Sequence, residues 1–181
     1  MGASVKTAIG LLTSIWMLSA TAQTPPSAYQ LAARSAAVPA VVLYAMAQQE
    51  SGIRLRGQTI PWPWTLNIAG GPYYYPNRTQ ACSALKAALQ KNLTTRIDVG
   101  LAQLNLGYQK RHYRRPCELL DPYRNLAIAA AILRDNHRPG ENWLTAAGRY
   151  HRPAGGELAT RYRNRISLHL AKLIGEGKTQ P

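Results

Sequence analysis

Residues 38–52 read V-P-A-V-V-L-Y-A-M-A-Q-Q-E-S-G. Pro39 suits the first turn of a helix, where its fixed φ and missing N–H cost nothing. The apolar run that follows predicts a helix from Pro39 to about Glu50, with Val38, Val41, Val42 and Ala45 on one face. Gly52 stands where a helix-ending glycine is expected. This apolar helix closes on a carboxylate, and Glu50 is the only acid in the first 97 residues. A carboxyl at a helix C-terminus meets the negative end of the dipole, which favours its neutral form. Partial burial pushes its pKa further up, as a general acid requires near neutral pH. An exposed Glu that merely ends a helix is the plain alternative.

The chain holds eight acids in all, so each can be weighed. Asp121 and Glu141 read as helix-start residues, and Glu157 and Glu176 sit near polar termini. Glu118 lies beside Cys117 in a polar loop, and Asp135 has Arg134 and Arg138 nearby. All six are accounted for as caps or solvated charges. Asp98 opens a short glycine-bounded segment, Asp98 to Gly107, as a cap, a turn former or a second carboxylate for Glu50.

Outward from the apolar helix, Ser27 predicts the cap of a first helix through about Ala37. Gly57 to Asn77 breaks the helical pattern with prolines, Trp62, Trp64 and three consecutive tyrosines. Within it, Thr65–Ile68 and Tyr73–Tyr75 flank Gly70-Gly71, which predicts a small hairpin or extended loop. Thr79 predicts the cap of a third helix to about Asn92. Asp121-Pro122 opens a long helix to about His137, with Leu126, Ala129, Ala130 and Leu133 as its buried stripe. Two further helices follow, Asn142 to about Tyr150 and Glu157 to about Ile174. The expected fold is mostly α, one domain with a small β-hairpin or irregular insertion after the Glu50 helix.

The 181 residues set the prior at one domain, and a 46% hydrophobic content supports a real core. The net charge of +14 comes from 22 Lys and Arg against 8 Asp and Glu, so the surface expects an anionic partner. Residues 1–22 join Lys6, an apolar run from Ala8 to Leu18 and Ala20-Thr21-Ala22. That is the pattern of an export signal cleaved after Ala22, and the run is too short to span a membrane comfortably. The mature domain is then 23–181, with its core at about 27–175. Export weakens a nucleic-acid reading of the charge, because little nucleic acid waits outside the cytoplasm. It also makes a disulfide the expected state of Cys82 and Cys117, the only cysteines, with two buried thiols as the alternative. The four His, at 112, 137, 151 and 169, show no metal-ligand spacing, so neither a metal nor a cofactor is expected.

Three blocks carry a resemblance. Ala47-Gln48-Gln49-Glu50-Ser51-Gly52 resembles the catalytic Glu-Ser signature of the soluble lytic transglycosylases, whose fold is lysozyme-like. Asp98-Val99-Gly100-Leu101-Ala102-Gln103-Leu104-Asn105 is similar to that family's Gly-Leu-Met-Gln element, with Ala102 in place of the usual Met. Ala146-Ala147-Gly148-Arg149-Tyr150-His151 is similar to its Ala-Tyr-Asn motif, with His151 where Asn is usual. The blocks occur in the family's order within about residues 27–170. Pro61–Asn67 and Leu120–Leu126 resemble the specialised transglycosylases that accompany conjugative transfer and related secretion machines.

The resemblance implies a periplasmic enzyme that cleaves the β-1,4 bond between N-acetylmuramic acid and N-acetylglucosamine in peptidoglycan, without a cofactor. Glu50 would act as acid and then as base, and the sugar's own 6-hydroxyl would close a 1,6-anhydro ring. No second carboxylate is then needed to activate water, although Asp98 is the candidate by motif. Ser51 is expected near that carboxyl or the substrate, or simply closing the helix. Gln103 is expected to orient an N-acetyl or hydroxyl group. Tyr150 is expected to set its hydroxyl against Glu50, or else to be a core tyrosine. Gly100, Leu101, Ala102 and His151 are supporting residues, the last with its amide role lost. Asn67, Trp64 and Tyr73, with Trp62, Tyr74 and Tyr75, fit either a sugar-binding groove or core packing. Arg111, Arg114 and Arg115 suit a polymer whose stem peptides carry carboxylates. The competing readings are a lysozyme-type hydrolase, a non-catalytic docking protein of the transfer apparatus, and a nucleic-acid binder supported by charge alone.

Overall fold

The computed structural model describes residues 23–175; the export segment read at 1–22 and the last residues lie outside them. The described chain holds helices α1 (Ser27–Ala36), α2 (Ala40–Ser51), α3 (Arg78–Leu89), α4 (Pro122–Asp135), α5 (Trp143–His151) and α6 (Gly156–Ile174). The mostly helical, lysozyme-like class with a β insertion after the second helix is the fold observed. No single described helix is long and apolar enough to cross a membrane.

Helix α2 is the axis of the domain. Its apolar residues predicted a one-sided stripe, yet every side chain from Val42 through Gln48 is buried. The reason is tertiary: α1, α5, α6 and the first hairpin all pack against it. A helix apolar all round finds its stable place only where every side is covered. Gly52 does end it, but by a different route from the left-handed glycine cap. Its backbone is extended, with φ −66° and ψ 130°. A Cβ there would collide with the Gln48 carbonyl oxygen and lie 2.6 Å from the Thr59 side chain, so close packing rather than φ demands glycine.

The insertion is larger than the one hairpin predicted. Strands β1 (Gly52–Leu55) and β2 (Gln58–Pro61) pair around Arg56-Gly57, while β3 (Thr65–Ile68) and β4 (Gly71–Tyr74) pair around Ala69-Gly70. Both turns hold two consecutive residues at positive φ, the primed geometry that matches strand twist. Strands β5 (Ile97–Val99) and β6 (Leu104–Asn105) then extend the second pair into an antiparallel sheet of order β4-β3-β5-β6. Pro72 is tolerated because β4 is an outer strand.

Helix caps fall where small polar residues allow. Asp121 accepts from the Arg124 N–H at 2.9 Å ahead of Pro122, and Asn142 accepts from Leu144, as their positions predicted. At α3 the cap is Asn77, which accepts from Gln80 at 2.9 Å, two residues before the expected Thr79. Ser27 is the first residue of α1 and makes no capping bond.

Cys82 and Cys117 are joined in a disulfide, which ties α3 to the short 3-10 turn at Pro116–Leu120. The bridge encloses β5, β6 and the turn between them. Closing a loop with a sequence separation of 35 stabilises by about 4 kcal/mol in the chain-entropy account. Reduction is therefore expected to lower the melting temperature by about 10 °C, as calorimetry with and without reductant would show. A melt unchanged by reductant would mean that the bridge constrains nothing the fold does not already hold.

Candidate active site

The β-sheet and the helices meet at a cleft of about 680 Å³ whose walls include Glu50, Asn67, Asp98, Gln103, Tyr150 and His151. Six residues singled out in the sequence thus converge, although they span a hundred positions of chain. Strand parity explains how the sheet contributes. Asn67, Asp98 and Asn105 are aligned across β3, β5 and β6, while Leu66, Val99 and Leu104 are aligned in the adjacent row. Alternate residues face opposite sides of a sheet. The apolar row is buried, so the polar row is presented to the cleft.

Glu50 enters from the last turn of α2. The Tyr162 hydroxyl, on α6, donates to its Oε1 at 2.7 Å. Burial pushes the Glu50 carboxyl up to about 7; the Tyr162 hydrogen bond opposes this and the charge of Asp98 adds to it. The direction is the one read from the helix end, with loss of solvent as the leading cause. Asp98 is also raised by burial, partly offset by the Asn105 amide, which donates to its Oδ1 at 2.8 Å. Tyr162 is held well above the ordinary tyrosine range by burial and then by Glu50's charge, so its hydroxyl remains a donor.

Tyr162 takes the place in which Tyr150 was expected. The Tyr150 hydroxyl donates instead to the Ala102 carbonyl at 2.7 Å, bracing the turn opposite Glu50. Nothing local distinguishes Tyr162, which shares the apolar stripe of α6 with Ala159, Ile166 and Leu173. Its one signal is a polar tip on that stripe. His151 stacks flat on the Tyr162 ring, with centroids 4.4 Å apart and planes 2° from parallel. Burial and the charges of Arg165 and Arg152 lower its pKa. The imidazole in the usual Asn position thus acts as a flat neighbour to the tyrosine that holds Glu50.

Ser51 is fully buried and reaches neither the Glu50 carboxyl nor the cleft lining. Its hydroxyl donates to the Leu101 carbonyl at 2.7 Å and to Ala47 at 3.2 Å, which fixes the Gly100–Gln103 turn to the end of α2. Gln103 adopts a left-handed φ of 46° and donates to Gly100 at 2.8 Å and Thr65 at 3.3 Å. Its donors therefore secure the turn, while the residue lines the cleft. Leu101 and Ala102 are buried in the core.

The organiser of this turn is Asn125, a residue the sequence reading passed over inside the Leu120–Leu126 motif. Completely buried on α4, it donates to the Val99 and Leu119 carbonyls at 2.9 Å and accepts from the Ala102 N–H at 2.9 Å. Gly100, at φ 82°, fits against it: a Cβ would lie 2.9 Å from both Asn125 Cγ and the Leu119 oxygen.

The aromatic residues divide against the groove reading. Trp62 and Trp64 meet edge to face at 5.8 Å, and Trp62 Nε1 donates to Tyr75 at 2.7 Å. Trp64 packs on the core, and these rings fasten the strands to the domain. Tyr73 pairs with the buried Leu66 and is not among the described residues that line the cleft. Conversely, the cleft acquires Tyr108, Gln109 and the Arg152–Ala154 loop, none of them expected. Tyr108 is 74% exposed and is the open aromatic ring at this rim.

Asn125→Ala leaves one N–H and two carbonyls unpaired in a dry interior, at about 3 kcal/mol. A drop of about 6–12 °C in melting temperature is the expected result. A melt within 2 °C of the parent would deny Asn125 its organising role.

The transglycosylase SLT domain profile matches residues 27–165, a span that contains every residue of the Glu50, Asp98 and Tyr162 cluster. No curated protein and no solved structure matches the chain significantly. On the strength of the profile match, with the Glu50 helix, the braced Gly100–Gln103 turn and the cleft between them in its compass, the chain belongs to the transglycosylase SLT domain family, which acts on peptidoglycan.

Proposed function

We propose that the protein is a lytic transglycosylase that cleaves the β-1,4 bond between N-acetylmuramic acid and N-acetylglucosamine, with Glu50 as its acid and base. The observation that carries this reading is the Glu50 carboxyl itself. It lies in a cleft of saccharide size, raised to about 7 and held by one buried hydroxyl.

In the first step, protonated Glu50 gives its proton to the glycosidic oxygen as the bond to the muramoyl anomeric carbon breaks. The N-acetylglucosamine leaves with a free 4-hydroxyl, and oxocarbenium character develops on the remaining sugar. In the second step the muramoyl 6-hydroxyl attacks the same carbon. Its proton passes to the Glu50 carboxylate, which restores the acid. An intramolecular nucleophile carries an effective molarity of about 10⁵ M or more, so water need not be activated. Tyr162 contributes by stabilising the carboxylate that exists between the steps. Asp98 contributes in the opposite sense, since its charge favours protonated Glu50 at the outset.

Asp98 lies in the same cleft, and this favours a hydrolase as the second reading, with Asp98 serving a water molecule. Burial disfavours its charged form, which weakens it as a base. The motifs at Pro61–Asn67 and Leu120–Leu126 support action beside a conjugative transfer or type IV-like secretion apparatus, where local opening of the wall is needed. The leader-like residues 1–22, together with the disulfide, support an exported, periplasmic enzyme. A non-catalytic docking role is the remaining alternative, and the acid-like environment of Glu50 argues against it.

Mass spectrometry of fragments released from sacculi discriminates these readings. Products ending in 1,6-anhydromuramic acid, abolished by Glu50→Gln, are expected; reducing ends would indicate hydrolysis, and no release would indicate docking. The rate should fall as pH rises through about 7, because the first step needs the protonated acid. Tyr162→Phe removes a bond that favours the charged form, so this limb should move to higher pH while the maximal rate falls. Stability carries the same sign. A carboxyl raised in the fold stabilises relative to its ionised state below the unfolded pKa, and that contribution is lost as pH rises through about 7. Glu50→Gln should therefore raise the melting temperature at pH 8 and confer less benefit at pH 4.

A further inference from the structure

At the far rim of the cleft, α5 ends and the chain turns through Arg152-Pro153-Ala154-Gly155 into α6. The Arg152 backbone is fixed on both sides: its N–H donates to Gly148 at 2.9 Å, and its carbonyl accepts from Gly155 at 2.9 Å. Pro153 further restricts the residue before it. The side chain is committed to nothing comparable. The ion pairs of the described residues use Arg111, Arg115, Arg124, Arg149 and Arg161, and Arg152 is in none of them. It is exposed, and among the described residues that line the cleft it is the one carrying an ammonium or guanidinium group. A fixed backbone bearing an unpaired guanidinium at the rim of a binding cleft is suited to capturing a carboxylate of the ligand.

The surroundings favour an anion there. Glu50 and Asp98, the acids lining the cleft, are both shifted toward their neutral forms by burial, which lessens their opposition to an incoming anion. His151 adjoins Arg152 and senses a second guanidinium, Arg165. The cleft therefore has a hydrogen-bonding floor and, among the described residues, one cationic side chain, Arg152, in its wall. The cleft wall also includes Tyr108, whose backbone N–H is held by Asn105 Oδ1 at 3.2 Å, a ring open to the apolar face of a sugar.

We propose that Arg152 is a specificity residue that binds a free carboxylate of the stem peptide on the glycan strand, so that the cleft prefers peptide-bearing strands to denuded ones. The inference rests on the peptidoglycan reading of the cleft and adds a subsite for the peptide to it. A denuded strand offers its hydroxyl and amide groups, with one lactyl carboxylate held close against each muramic acid ring, but none of the carboxylates that the stem peptide carries farther out. A strand that keeps its peptides offers both.

The test separates binding from cleavage by measuring affinity in the Glu50→Gln background. Calorimetry would compare a soluble peptide-bearing tetrasaccharide with the same tetrasaccharide stripped of peptide by an amidase and with the lactyl carboxylates so freed converted to methylamides. The peptide-bearing fragment is expected to bind about tenfold more tightly, a difference worth about 1.4 kcal/mol. With Arg152→Gln added, that preference should fall to within twofold, and Arg152→Lys should restore part of it. Amidating the peptide carboxylates should have the same effect as Arg152→Gln, and raising salt should erode the preference in the parent. Equal affinity for the two fragments in the parent overturns the inference, as does a preference that survives Arg152→Gln. Loss of affinity for both fragments in equal proportion also overturns it, because the residue would then serve the glycan or the fold. A failure of the cleavage reading is recognised separately, by sacculi that release no fragments although the binding preference holds.

Discussion

A carboxyl group partly screened from water at the end of a helix that is itself buried on nearly every side is the constraint from which the site follows. Helix α2 must be enclosed by α1, α5, α6 and the first hairpin, and that enclosure delivers its last turn to the cleft. The same enclosure removes solvent from Glu50 and raises its pKa to about 7. Burial of an unpaired charge is costly, so the fold supplies one hydroxyl from α6 rather than a cation. A guanidinium in the place of Tyr162 would hold Glu50 ionised. The site therefore gives its carboxyl one hydrogen bond and leaves the other oxygen open to the cleft.

A second constraint sets the opposite wall. The Gly100–Gln103 turn presents left-handed residues at both ends, Gly100 at φ 82° and Gln103 at φ 46°, and a turn of that kind needs external support. It receives support from three directions. Ser51 holds Leu101 from the helix, Asn125 holds Val99 and Ala102 from α4, and Tyr150 holds Ala102 from α5. Residues that resemble catalytic motifs thus divide into two kinds. Glu50, Asp98 and Gln103 line the cleft, whereas Ser51 and Asn125 are buried behind it and fix its shape.

Several features were legible because they depend on local chemistry. The helix caps at Asp121 and Asn142 follow from a short polar side chain ahead of a helical pattern, and the hairpin read at Gly70-Gly71 forms with its turn one residue earlier, at Ala69-Gly70, where positive φ is needed. The Arg56-Gly57 hairpin was missed because four-residue strands are too short to carry a decisive alternation, and most residues of β1 and β2 are at least half-buried rather than cleanly in or out. The α3 cap was misplaced by two residues because Asn77 and Thr79 are both adequate and only the packing of the helix chooses. The aromatic run resisted assignment for a stronger reason. Whether Tyr73 faces a groove depends on its register with Leu66, and shifting register by one residue would have reversed the answer.

By itself, then, the sequence determined that the chain is a mostly helical domain, that Glu50 is the exceptional acid, and that three ordered blocks surround it. Periodicity, caps and the scarcity of carboxylates are properties of neighbouring residues, and they survive without any knowledge of long-range pairing. Only the tertiary structure decided which hydroxyl Glu50 receives, since Tyr150 and Tyr162 differ in no local feature that bears on the choice. The separation between Glu50 and Tyr162 is 112 residues, and their contact depends on how α5 and α6 pack on α2. Packing directions of whole helices are set by the sum of many apolar contacts, so one hydrogen bond between distant residues is fixed last and is invisible in either stretch alone.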